Sequence, residues 1–160
     1  MHRKLTFSLL LLVFCSLHIF SFDLIIDGKL DEKEWSQADE ITKYYESMPF
    51  TLDDASGAQK VLVLEDEKGI YFGFITYQSN ESIRTQKHQR DDEMANADMV
   101  GVSIDFDGDG LLSYSFSVSA GGSILDNVVR NENEVNYDWD SDWGYGCLLY
   151  TSPSPRDRFL

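Results

Sequence analysis

Residues Met99–Ala120 read MVGVSIDFDGDGLLSYSFSVSA, and this stretch decides the fold. In its second half Leu112, Tyr114, Phe116 and Val118 alternate with Ser113, Ser115, Ser117 and Ser119. A period of two places the apolar set on one face of a strand and the serines on the other, so one buried face and one wet face are expected. The first half, Met99–Phe106, has the composition of a partner strand, and Asp107-Gly108-Asp109-Gly110 supplies the turn chemistry between them. The predicted unit is an antiparallel hairpin.

Working outward, Gln59–Leu64 and Gly69–Tyr77 are rich in Val, Ile, Tyr and Phe, and the charged turn Glu65-Asp66-Glu67-Lys68 joins them into a second hairpin. Met48–Ala58 reads as a turn-rich loop, and Ser36–Tyr45 as a short helix or strand. Several short strands without a sustained helical period predict an all-β antiparallel sandwich of immunoglobulin or jelly-roll type. No repeat at solenoid spacing is present.

The ends differ from the middle. His2, Arg3 and Lys4 precede an apolar run from Leu5 to Phe20, with the small residue Ser21 after it, so residues 1–21 read as a secretory signal. A retained membrane anchor is the competing reading, because Phe22 makes a poor cleavage neighbour. Phe14 before Cys15 is unsuited to lipoprotein processing. The expected location is periplasmic, cell-surface or secreted. Residues 147–160 lose the acidic bias and carry Pro153 and Pro155; they look like translated sequencing-adapter DNA. The domain proper is therefore expected over residues 23–146, without internal disulfides, since Cys15 and Cys147 are the two cysteines. Formal charge is −15, and the acidic excess grows once the basic residues of leader and tail are set aside. Nucleic acid is a poor partner for such a surface.

After the leader comes Ile26-Asp27-Gly28-Lys29-Leu30-Asp31-Glu32-Lys33-Glu34-Trp35. Asp27-Gly28 suits a tight turn, and Asp31, Glu32 and Glu34 favour a helical start, leaving Trp35 an apolar surface to bury. The segment resembles the I-D-G-x-L-D-E-x-x-W opening of family 9-type carbohydrate-binding modules, in the form that fronts bacterial surface proteins with a predicted membrane barrel. The resemblance continues in family order. It runs through Gly69-Ile70-Tyr71-Phe72-Gly73-Phe74, Arg90-Asp91-Asp92 with Asp98, Met99–Asp105 and Tyr114-Ser115-Phe116-Ser117-Val118, to Asp138-Trp139-Asp140-Ser141-Asp142-Trp143. It covers nearly all of Asp27–Trp143. Two departures stand out: Ser119 replaces the Asn common in relatives, and the strands expected after Trp143 are missing, as in a C-terminal truncation.

The resemblance implies an exported carbohydrate-binding module, non-catalytic itself. It would belong to a protein that binds or degrades polysaccharide and continues covalently into a membrane barrel or, as in xylan-degrading enzymes, a glycoside hydrolase. Sugar recognition needs flat apolar faces together with planar polar groups. Trp139 and Trp143 are candidates for the first, and Arg90, Asp91, Asp92 and Asp98 for the second. The same residues have plainer readings, the tryptophans as core packing and Arg90 with its aspartates as an ion-pair network that pins a loop.

Asp105, Asp107 and Asp109 match the D-x-D-x-D-G opening of a calcium loop, and family relatives carry calcium. Position twelve, however, is Phe116 rather than Glu, which favours a plain turn. Asp126, Asn127, Asn131, Asn133 and Asn136 read as loop residues with oxygen ligands to offer. Catalysis has little support: His88 is the one histidine outside the leader, and no carboxylate pair stands out for glycosidic hydrolysis. A structural domain in front of a barrel and a glycoside hydrolase domain are the alternative functions.

Overall fold

The computed structural model describes residues 21–47, 49–55, 58–77, 83–131 and 133–149. The leader up to Phe20, residues 48, 56 and 57 of the expected loop, and residues 150–160 of the tail lie outside them. Among the described residues no helix is long and apolar enough to cross a membrane.

The chain is an all-β sandwich of two antiparallel sheets. In chain order its strands are β1 (Asp39–Ile41), β2 (Ala58–Asp66), β3 (Gly69–Tyr77), β4 (Met99–Ile104), β5 (Leu112–Ser119), β6 (Ile124–Arg130) and β7 (Glu134–Asn136). One sheet has the order β1-β2-β3 and the other β4-β5-β6-β7. Both expected hairpins are present. β2 and β3 pair with Leu62 opposite Gly73, and β4 and β5 pair with Val102 opposite Phe116. The helical start shrinks to one 3-10 turn, Lys33–Gln37, before β1. The motif has turn chemistry and no apolar helical stripe, so nothing extends the turn into a helix.

Leu62 and Leu64 on β2 are buried with Trp35, and Phe22, Leu24, Leu30, Tyr71 and Ile75 pack around them. Glu32 accepts a hydrogen bond from the Trp35 indole at 3.0 Å and from the Ile25 N–H at 3.0 Å, locking the motif over this sheet. Gly73 is where the indole lands: a Cβ there would meet Leu30 at 2.9 Å and Trp35 at 3.1 Å. The motif's glycine, Gly28, has φ +87°, and a Cβ on it would strike the backbone of Cys147 and Leu148 at 2.9 Å. The segments around residues 26–28 and 144–148 thus pass backbone to backbone.

Two sequence expectations need correction. The serine face of β5 is half-buried rather than wet, and Ser119 at its end is 1% exposed. Polar groups tolerate this burial because they are paired: Ser119 Oγ accepts the Ser123 N–H at 2.9 Å, and Ser103 and Ser115 hydroxyls lie 3.0 Å apart. Asp126, Asn127 and Asn136 are not loop residues; Asn136 ends β7 opposite Val128, and the other two sit in the middle of β6, both buried. Asp and Asn are depleted in strands, so the run Ile124–Arg130 carries a β signal broken at its centre.

β3 and β4 are end strands of their sheets, and among the described residues neither has a partner along its outer side. A cleft of about 1760 Å3 runs along β3 and reaches β4, Phe116, Val118 and residues 142–149.

Leu62 is 5% exposed and packs with Trp35 and Leu64 in this small core. Leu62→Ala is expected to lower unfolding free energy by about 3 kcal/mol. Exposed Phe50→Ser should change it by less than about 0.5 kcal/mol, with both read by urea denaturation.

Candidate functional site: an aromatic row and a buried carboxylate

On β5, Tyr114 and Phe116 share a face with Val118, as the alternation requires, and Val128, Asp126 and Ile124 of β6 stand opposite them. Residues 138–149 form no strand or helix but run beside this face. Trp139 packs at 5.2 Å from Tyr114 and 6.0 Å from Phe116, ring centre to ring centre. Trp143 lies 5.4 Å from Phe116 and 5.6 Å from Tyr145, and Phe106 lies 5.7 Å from Tyr114. Six rings therefore form one row, in tilted and edge-on contacts of the favourable kind.

Both indoles of the W-D-x-x-W motif belong to this row and are half-buried, with Phe116 touching each. Trp143, Tyr145 and Phe116 line the cleft, whereas Trp139 is not part of its lining. The Trp143 Nε1 is buried and has no hydrogen-bond partner among the described residues.

The R-D-D element and Asp98 do not form a single constellation. Arg90 Nη2 reaches Asp126 at 2.8 and 3.1 Å and Asp140 at 3.0 Å, while its Nε bonds Asp91 at 3.1 Å. Hydrogen bonding by Asp126 is the main cause that raises the Arg90 pKa above its ordinary value. Asp92 instead approaches His88 Nδ1 at 3.3 Å and accepts the Met94 N–H. Asp98 binds Arg84 through Nε at 3.0 Å and Nη2 at 2.7 Å, and that pair lines the cleft. Arg84 was not among the sequence candidates, since nothing local marks an ion pair spanning 14 residues. Asp126, expected in a loop with an oxygen ligand to offer, is instead the strand-borne partner of Arg90.

Asp91, Asp126 and Asp140 are the carboxylate group, among the described residues, whose oxygens gather within 4.8 Å. The Arg90 guanidinium already bonds or pairs with all three. Asp105, Asp107 and Asp109 form no such group. Asp105 accepts the N–H groups of Gly110 at 2.7 Å, Gly108 at 2.8 Å and Asp107 at 3.0 Å, and Leu111 N–H bonds Asp109. Asp105 thus ties the hairpin turn together, and a cation there would compete with three backbone hydrogen bonds.

The N–H groups of Gly110, Gly108 and Asp107, in that order, hold the Asp105 carboxyl below its ordinary 3.8. A depressed folded value stabilises the turn above the unfolded pKa, and the contribution disappears as pH falls through the folded one. Asp105→Asn should therefore flatten the stability–pH curve below about pH 4 and leave its shape at neutral pH unchanged, as measured by thermal melts across pH. Compared with protein-family models, with curated proteins and with solved structures, the chain matches none.

Proposed function

We propose that the chain is an exported, non-catalytic carbohydrate-binding domain that takes a polysaccharide or oligosaccharide along the cleft end of the aromatic row. The observation that carries this reading is the placement of Trp143, Tyr145 and Phe116 on the wall of the cleft that the charged pair Arg84–Asp98 also lines. Apolar rings suit the C–H faces of a pyranose, and a guanidinium–carboxylate pair offers donors and acceptors to its hydroxyls. The family 9-type resemblance of the sequence and the apolar leader support the same reading and its setting outside the cytoplasm. Arg90 and Asp91 then serve the site from behind, without touching sugar.

A second reading has its own observation. Phe116 engages both indoles, which suits a row that closes the sandwich of a structural or interaction domain fronting a membrane barrel.

Affinity electrophoresis of the whole chain through gels containing xylan, cellulose derivatives or β-glucan separates the two. Retardation by one polysaccharide, weakened about tenfold by Trp143→Ala and less by Trp139→Ala, is the expected result. Equal mobility in every gel would establish the structural reading instead. Repeating the run with EDTA reports on calcium at Asp105, Asp107 and Asp109, and release of reducing ends from the gel polysaccharide would make the domain a hydrolase.

A further inference from the structure

Residues 138–143 carry both indoles of the row, yet no strand ladder or helix fixes their backbone. Their hold on the sheet is a set of directed polar contacts centred on Asp126, whose side chain is 0% exposed. Asp126 Oδ2 accepts the Ser141 N–H at 2.8 Å, and Arg90 Nη2 bonds both Asp126 oxygens and approaches the Ser141 carbonyl at 3.3 Å. Ser141 lies midway between Trp139 and Trp143. Both of its backbone polar groups are therefore engaged by this pair, in which Asp126 is buried and Arg90 is 42% exposed. Arg90 is held in turn by Asp91, whose Oδ2 takes Arg90 Nε and whose Oδ1 takes the Asp126 N–H at 2.8 Å. The Asp91 N–H donates to the Ile124 carbonyl at 3.2 Å, so the loop is anchored to the edge of β6. Asp91 has φ +57°, a left-handed conformation uncommon outside glycine and asparagine, and both its carboxylate oxygens are used in this ring.

We propose that Arg90 and Asp126 form a clasp that positions Trp139 and Trp143 against Phe116, making them positioning residues for the aromatic row. The sugar-binding consequence rests on the function proposed above; the positioning itself does not. Apolar contact could hold two indoles near a sheet, but it is non-directional. The planar guanidinium fork and the carboxylate fix direction as well as distance, at the residue midway between the two rings. A lysine keeps the charge and loses the fork.

The test uses the whole chain labelled with 5-fluorotryptophan, which gives one fluorine resonance for each of Trp35, Trp139 and Trp143. Assignment uses Trp139→Phe and Trp143→Phe. In Arg90→Lys the resonances of Trp139 and Trp143 should shift or broaden while that of Trp35, packed on the other sheet, stays in place. Asp126→Asn paired with Arg90→Met removes both charges together and should move the same two signals, which guards against a single variant failing through a stranded buried charge. Three unmoved resonances would overturn the clasp. Three that move together would overturn it as well, because the change would then be one of the whole fold. Where the unaltered protein is retarded by a polysaccharide, Arg90→Lys should weaken that binding about tenfold. If the unaltered protein is not retarded but the two resonances still move, the clasp stands and the sugar reading falls.

Discussion

A carboxylate removed from water and answered by one guanidinium governs the second half of this chain. A carboxylate is costly to bury, and at Asp126 the cost is offset by Arg90, the Ser141 N–H and the surrounding hydrogen bonds. Three pieces of chain far apart in sequence must come together for that to happen: the loop at residues 90–91, the middle of β6, and the segment at residues 140–141. An apolar side chain at position 126 could be equally stable, but it would place no demand on the order or angle of the other two. The charge therefore acts less as glue than as a register mark for segments that have no ladder of their own.

The two sheets are held in different ways. The β1-β2-β3 sheet depends on Trp35, Leu62 and Leu64, with the Ile26–Trp35 motif closing over them. Among the described residues the second sheet has one buried apolar side chain, Val128, beside buried Asp126, Asn127 and Ser119, and the aromatic row packs on its Tyr114 and Phe116. Between them the cleft stays open along β3 and β4. So small a dry core makes the polar arrangement matter more than it would in a thicker sandwich.

How much of this could be read from the letters depends on the range of the interaction involved. The β2–β3 and β4–β5 hairpins were legible because alternation and turn residues are local, and so was the burial of Trp35. The turn function of Asp105 was legible too, since its partners lie within five residues. β6 was not, because Asp126-Asn127 interrupts the apolar pattern at the place where the charge meets its partner 36 residues away. Of the residues in the R-D-D element and Asp98, Arg90 and Asp91 meet at Asp126, whereas Asp92 and Asp98 turn to His88 and Arg84. Asp91 takes a left-handed turn conformation, so the chain changes direction between Arg90 and Asp92, and adjacency in a motif does not bring side chains to one point.

The crossing at Gly28 has a mechanical consequence. The segments near residues 26–28 and 144–148 touch backbone to backbone, and each leads outward from a different sheet's cover. Tension applied to these two stretches loads their contact directly, whereas the hydrogen-bonded ladders of both sheets carry it afterwards. The crossing is a seam between a stretch that precedes the first sheet and one that follows the second, so opening it would leave the ladders of both sheets paired.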